Sequence, residues 1–442
     1  MTVGSAADVL AQACSEVREA GPDDAVAGIG PRFVVRPAGL AEAAAVMRAA
    51  AAEGLTAVPR GAGTRLDWGA PPTSCDLVID TRRMNRVLEY AAGDLVVRVE
   101  AGAGMSQLAA VLAAAGQRLA LDPPPAGRRG AREKPGGPGT VGGVLACGAA
   151  GPLRLRYGTP RDLVIGMTVV RADGVVASSG GKVVKNVAGY DLGKLFAGSY
   201  GTLGLIAEAT FRLHPLPEAI SFVTLDARDP AAAHSAIEAA ADSPLAPSAA
   251  EIDRPSRQAP VRVGILLEGD PEGVAERSAR MTRLLGGGIT SVSPVPPTWW
   301  GRGAAAPGGT VVRIAFWACA LTEVIAGIDD AASTAGLDPV ISGSAAAGVV
   351  HAAVDYRAAP DAVSRFVLSL RAAVGNDPAG GPVPPTAWPA SRASVMVLRA
   401  PPDVSAAVDP WGPVPGLGLM RAVKDQFDPE HRMAPGRFVG GI

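Results

Sequence analysis

The spacing of apolar residues switches along the chain between the three-to-four period of a buried helix face and the alternation of a strand, and these switches predict most elements. Phe33 to Pro37 reads as a short strand entering a turn, and Leu40 to Glu53 has the alanine-rich spacing of a helix. Leu77 to Thr81 and Leu95 to Gly102 read as strands, Met105 to Ala115 as a helix, and Val164 to Gly181 as a hairpin turned by Asp173 and Gly174. Between Asn186 and Tyr200, Leu192, Leu195 and Phe196 recur at helical spacing among glycines, which predicts a short amphipathic helix leading from a loop into a packed body. After the turn GTLG, Leu205, Ala207, Ala209, Phe211 and Leu213 alternate with Ile206, Glu208, Thr210 and Arg212, the pattern of a half-buried strand ending before Pro215.

Beyond Pro217 the character changes. Strand-like runs (FVTLDA, VRVGILLEG, VVRIAFWA, AAAGVVHAAVD and SVMVLRAP) alternate with helical patterns over Ala231 to Ala241, Val274 to Leu285, a stretch after Thr322, and Asp361 to Ala373. Pro294 to Gly309 and Asn376 to Pro389 read as Pro/Gly-rich loops between them. The expected class is α+β. Residues 1–30 hold an N-terminal helix, 31–217 form one domain, 218–402 an α/β cap with a mostly antiparallel sheet and helices on one face, and 403–442 a segment returning to the first domain.

The 442 residues suffice for two domains with cores. With 41 basic against 42 acidic residues, nothing points to nucleic acid or an anionic membrane as partner. The 55 glycines and 39 prolines would suit a disordered chain, but 48% hydrophobic residues in periodic stretches indicate a folded, loop-rich protein. Cys14, Cys75, Cys147 and Cys319 lie far apart, which argues against a disulfide framework or an iron–sulfur cluster and for reduced cytoplasmic thiols. Asp8 and Glu16 interrupt the apolar N-terminus, so it reads as a helix and not a signal peptide, and no apolar run reaches the roughly 18–20 residues of a membrane helix.

Three glycine clusters carry the candidate chemistry. VPRGAGTRL (Val58 to Leu66) follows a strand-like stretch and can turn successive amides toward an anion. Thr140 to Asp162 and the region from Gly180 to Gly204 are equally rich in positions without side chains, and three such loops suit a long diphosphate cofactor better than a single phosphate. GAGMSQ at Gly102 joins a strand to a helix, but Gln107 stands where a dinucleotide fingerprint needs its third glycine, so it reads as a tight turn. Asp122 to Gly139 has no periodicity and reads as an exposed loop, or as a docking element for a partner.

In their order, PRGAGT, GTVGG, ACGAAGP, YGTPRD, GGKVVKNVAGYDL and GSYGTLGLIAEAT resemble the FAD-binding domain of the vanillyl-alcohol oxidase/p-cresol methylhydroxylase superfamily. Within it, the ACGxAGP and VxKNVAGYDL runs, with GSYG in place of GSEG, are most similar to glycolate oxidase FAD-binding subunits. The resemblance covers roughly Val34 to Pro217 well, and more loosely the tail, where Ala434 replaces the asparagine of an NPGR motif.

The resemblance implies a two-subdomain p-cresol methylhydroxylase-type FAD-binding domain followed by the cap. It places the FAD pyrophosphate on Pro59, Arg60, Gly61, Ala62, Gly63 and Thr64, and the ribityl chain and isoalloxazine beside Thr140, Val141, Gly142, Gly143, Ala146, Gly148 and Gly151. Tyr157, Gly158 and Asp162 would close that site, and Gly201, Gly204, Leu205 and Ile206 would reach the adenine. Relatives with covalent flavin carry a histidine where this chain has Thr64, which implies noncovalent FAD. Lys185, Asn186 and Tyr190, with Asp191, are the polar residues expected nearest the flavin edge, as base or clamp, or as residues fixing the loop by hydrogen bonds. His214, His234, His351 and His431 do not cluster, so no metal site is expected, and His351 reads more readily as a strand residue than a ligand.

The function implied is the FAD-binding subunit of a glycolate oxidase-like 2-hydroxy-acid dehydrogenase. It would oxidise glycolate or D-lactate and pass electrons to an iron–sulfur subunit beside a second flavoprotein subunit, in the cytoplasm or held at the inner membrane through those partners. The alternatives are a noncatalytic FAD-binding assembly subunit and a stand-alone FAD-linked oxidase of another alcohol or sugar acid.

Overall fold

Phe33–Val35, Leu77–Asp80 and Ala57–Arg60 are nearly continuous apolar runs, as strands covered on both faces must be, and they pair in parallel in that order. The computed structural model describes residues 6–125, 137, 139–182, 191–286, 289–303, 308–374 and 393–442. The N-terminal region contributes more than the expected helix: after helix Ala6–Ala13, Val17–Glu19 adds an antiparallel edge strand against Phe33–Val35. Helix Leu40–Ala52 crosses over this sheet and buries Ala43, Val46, Met47 and Ala50 in one core with Leu10 and Ile79.

A second sheet of five strands, all antiparallel, runs in the order Val87–Ala91, Val96–Glu100, Leu205–Arg212, Val164–Val170, Val176–Gly180. Alternation predicts Leu205–Arg212 to be half-buried, yet seven of its eight residues are buried. The reason is its central position between two layers: Leu205 and Ala207 join the core of the first sheet, whereas Ile206, Ala209 and Phe211 pack under helices Met105–Ala113 and Val141–Cys147. Its one acid, Glu208, pairs with Arg98 of the neighbouring strand. The predicted helix after Asn186 is Leu192–Phe196, and residues 183–190 lie outside the described residues.

The cap is one antiparallel sheet of eight strands, ordered Ile289–Ser293, Ala219–Ala227, Val261–Gly269, Ala249–Arg254, Val340–Ser344, Val349–Val354, Thr310–Phe316, Ala393–Arg399. Helices Pro230–Asp242, Pro271–Leu284, Leu321–Ala335 and Pro360–Ala373 share a single core with Val223, Val263, Ile252, Val312 and Val350. Residues alternating with these point away from the helices, toward the first domain. One of them makes the junction. Glu268 accepts both terminal nitrogens of Arg118 at 2.7 and 2.8 Å, and the Tyr157 hydroxyl at 3.0 Å. Among the described residues, no helix is long and apolar enough to cross a membrane.

The C-terminal segment re-enters the first domain. At the end of helix Leu417–Phe427, Lys424 is fully buried and its Nζ donates to Asp428 at 2.7 Å, Thr202 O at 2.7 Å and Met433 O at 3.0 Å. Beyond it, Ala57 N donates to Arg432 O and Ala434 N to Ala57 O, so the segment lies beside the strand that feeds the first glycine loop. Ala434 is buried in the left-handed region at φ 44°, where asparagine is tolerated better than alanine. An asparagine here answers a backbone requirement before any hydrogen bond of its side chain.

Removing one member of a buried ion pair strands the other. Lys424→Met should therefore lower unfolding free energy by about 3–5 kcal/mol, read as a drop in urea midpoint at constant slope. Adding Asp428→Asn should restore part of the loss, and additive single-mutant effects would show that the two side chains do not act as a pair.

Candidate cofactor and substrate sites

Strand Ala57–Arg60 ends in the loop Gly61–Thr64, which abuts the start of helix Val141–Cys147 so closely that a Cβ on Gly61 would lie 2.0 Å from Thr140 Oγ1. Thr140 caps that helix, its Oγ1 accepting from Gly143 N at 3.4 Å. These turns, the Tyr200–Ile206 segment and Arg437 line an open cleft. Among the described residues, the N–H groups of Ala62, Gly63 and Thr64 donate to nothing in the chain, so three successive donors remain for an anion.

The cleft brings together Pro59, Arg60, Gly61, Ala62, Gly63, Thr64, Thr140, Gly142, Gly143, Ala146, Gly201, Gly204, Leu205 and Ile206. Arg60 belongs to it by its backbone position, while its guanidinium turns into the fold, donating to Asp24 at 3.0 Å and to Asp80 at 3.3 Å. Arg18, with help from Arg60, holds the Asp24 carboxyl well below its usual range; at Asp80, burial pushes upward and Arg82 and Arg60 overcome it. Arg60 thus fixes the strand beneath the loop.

Other expected residues lie elsewhere. Val141 is core, Gly148 is the left-handed cap ending the helix, and Gly151 packs where a Cβ would sit 1.9 Å from Asp122 O. Tyr157 serves the junction with Glu268, and Asp162 accepts from Thr159 N and Oγ1, tightening the turn at Gly158. None of these six lines the cleft. Lys185, Asn186 and Tyr190 lie outside the described residues.

Among the cleft residues that were not predicted as site residues are Thr81, Cys147, Tyr200 and Arg437. Tyr200 adjoins a second feature. Burial raises its phenol pKa, while Arg313 of the cap, within electrostatic reach, opposes that rise. Around Arg313 lie His351 and Arg154, and beyond them Glu251 and Asp122. Arg313 and His351 of the cap and Arg154 and Asp122 of the first domain are half-buried and lie within electrostatic reach of one another where the two domains meet.

Sheet register makes this cluster: His351 stands between Ser342 and Arg313 on adjacent strands, and Ser344 donates to Glu251. Arg154 spends its donors on Ala150 O and Gly151 O. Among the described residues, the Arg313 guanidinium has no hydrogen bond or ion pair and the buried His351 Nδ1 has no partner. Burial, then Arg313 and Arg154, lowers His351 to about 3, so it is neutral at physiological pH. Burial raises Glu251 to about 8 and Asp122 to about 7, so near neutral pH the cations outweigh the carboxylates. A charged residue in the middle of an apolar strand pattern, as in VVRIAF and AAEID, was the available signal.

Residues 31–180 match the family of FAD-binding domains. Over 188 residues (42% of this chain, 38% of the relative) the sequence is 36% identical to glycolate oxidase subunit GlcD of Bacillus subtilis strain 168. It is 36% identical to glycolate oxidase subunit GlcE of Escherichia coli strain K12 over 37% of this chain and 43% of that protein. It is 37% identical to a D-lactate dehydrogenase of Archaeoglobus fulgidus over 41% and 38%. The chain thus spans about two-fifths of the length of the curated relatives it matches. Two solved structures share the fold of nearly the whole chain: carbohydrate oxidase from Microdochium nivale (TM-score 0.68, 16% identity, 97% of this chain and 98% of that one) and p-cresol methylhydroxylase (TM-score 0.67, 17% identity, 98% and 96%).

The geometry separates two glycines that the sequence groups together. A Cβ on Gly142 would meet Ala101 Cβ at 2.8 Å, inside the fold, whereas on Gly143 it would meet only Thr140 Oγ1, at 3.3 Å. Gly143→Val should keep the wild-type unfolding midpoint and lose most of its FAD, measured as chromophore released by acid precipitation, while Gly142→Val should lose both. Equal FAD release from folded Gly143→Val would show that this wall does not face the cofactor.

The free amides over Ala62–Thr64 and the match of residues 31–180 to the family of FAD-binding domains lead to one conclusion: FAD is the cofactor, held in a chain that shares its fold with p-cresol methylhydroxylase.

Proposed function

We propose that this chain oxidises a small 2-hydroxy acid of the glycolate or D-lactate class with noncovalent FAD, as a subunit of a glycolate oxidase-like complex. The observation carrying the reading is the half-buried Arg313 guanidinium, without a partner among the described residues, beside neutral His351 and in electrostatic reach of Tyr200, which lines the FAD cleft. Bound FAD supplies the hydride acceptor. Arg313 takes the substrate carboxylate as a charge-assisted donor, and Arg154 adds to the field that draws in an anion. His351, a neutral imidazole, takes the hydroxyl proton. An anion on Arg313 cancels one of the charges that depress His351, so the substrate strengthens the base that acts on it. Two relatives are glycolate oxidase subunits, which supports a multi-subunit setting; in this reading an iron–sulfur subunit and a second flavoprotein are the electron-transfer partners.

A buried charge-assisted pair contributes about 1.5–3 kcal/mol. Arg313→Met should therefore raise the KM or Kd for the acid roughly 10- to 100-fold with FAD content unchanged, and His351→Gln should slow flavin reduction in stopped flow with little change in binding. Rapid reduction of the Arg313→Met flavin at wild-type substrate concentration would remove the anchor and, with it, this reading.

The carboxylates add a pH dependence. Glu251, raised to about 8, is mostly neutral below that pH and becomes an anion above it, repelling the substrate carboxylate and compensating Arg154. Asp122, raised to about 7, turns anionic first, and Arg118 and Arg154 face it. Substrate Kd should rise as pH passes from about 7 through about 8, and Glu251→Gln should remove the upper part of that rise. A flat Kd profile over this window would count against the cluster as the anion site.

A further inference from the structure

Arg437 comes from the C-terminal segment but lies inside the cleft, only 3% exposed. Its Nη2 donates to Leu66 O at 3.0 Å and Trp68 O at 2.8 Å, which fixes the guanidinium in place. Its Nη1 is buried and has no acceptor among the described residues. Burial pushes the guanidinium pKa down, and the groups that oppose this are Cys147, Tyr200, Asp67 and Cys75. Asp67, the one carboxylate among them, lies 3.7 Å from Arg399. A buried donor without an acceptor is costly, so a site that keeps one is built for a group the chain itself does not supply.

The position of Arg437 says which group. The diphosphate has the free amides of Ala62, Gly63 and Thr64, while Arg437 stands with Cys147 and Tyr200, and Tyr200 is the cleft residue in reach of Arg313. We propose that Arg437 sets the redox poise of the bound FAD, its Nη1 donating to an electron-rich atom of the flavin ring and its charge stabilising the negative charge the ring gains on reduction. A hydride carries two electrons and one proton, so a neutral ring that accepts one gains a single negative charge, and a fixed cation beside it favours the reduced form. The proposal rests on the functional reading only in taking the ring end of the cleft to be the end nearest Arg313.

FAD-loaded wild type, Arg437→Met and Arg437→Lys are compared without any hydroxy acid present, so failure of the substrate assignment leaves the readings intact. Arg437→Met should favour oxidised over reduced FAD at least tenfold more than wild type, a drop of about 30 mV in the two-electron midpoint potential. Sulfite, whose adduct leaves the same negative charge on the ring, should bind it at least tenfold more weakly. Arg437→Lys should recover most of both effects. Should Arg437→Met not fold, Arg437→Gln, which keeps a donor for Leu66 O but no charge, carries the same test. A folded, charge-neutral variant with wild-type potential and sulfite affinity overturns the proposal, even if its FAD Kd is higher, because that pattern assigns Arg437 to the diphosphate. Arg437→Lys falling as far as the neutral variant overturns it too, by making geometry and not charge the cause.

Discussion

The architecture follows from one steric demand: a diphosphate must touch main chain, so two turns have to meet with nothing between them. With only 2.0 Å between a Cβ on Gly61 and Thr140 Oγ1, the contact admits no side chain at all. A loop stripped in this way has little side chain of its own with which to hold position, Thr64 accepting from Arg65 at 3.1 Å. Its rigidity is borrowed from Arg60, locked between Asp24 and Asp80 below it, and from the C-terminal segment that pairs with Ala57 beside it. The bare loop and the dense ion-pair network around it are two sides of one arrangement.

The same logic is inverted at the domain junction. The cap presents to the first domain a sheet face bearing charge, and most of that charge is neutralised in place: Glu268 by Arg118, Asp253 by Arg262. Among the described residues, Arg313 and His351 are left over, one cation and one neutral imidazole. Unmatched polarity in an interior is expensive, and its persistence at the point where two domains meet next to a cofactor is what gives it functional meaning.

The FAD loops were legible because their chemistry is local: consecutive amides must come from consecutive residues, and glycine is the visible trace of that requirement. Long helices such as Leu321–Ala335 were legible from period alone. Strands Val17–Glu19, Ala249–Arg254 and Val340–Ser344 were not, the first because three residues carry no period, the others because acids and serines occupy the face turned away from the cap helices. Arg60 sits where the motif places it and yet faces the other way, since side-chain direction depends on Asp24 and Asp80, which the motif does not contain. The Arg313, His351 and Glu251 cluster could not be seen because it exists only in the register of four strands spread over a hundred residues.

The hydrogen bond from Arg437 to Leu66 joins positions 371 residues apart, and the whole cap domain lies between them. During synthesis the glycine loops emerge early, but their last wall arrives only after the cap has been made, so for most of that interval the cleft stands open on one side. Cofactor capture is then tied to the closing of a very long loop, whose entropic cost grows only slowly with length but whose formation waits on everything inside it. In this fold, holding FAD tightly amounts to a certificate that the intervening domain is complete and in place.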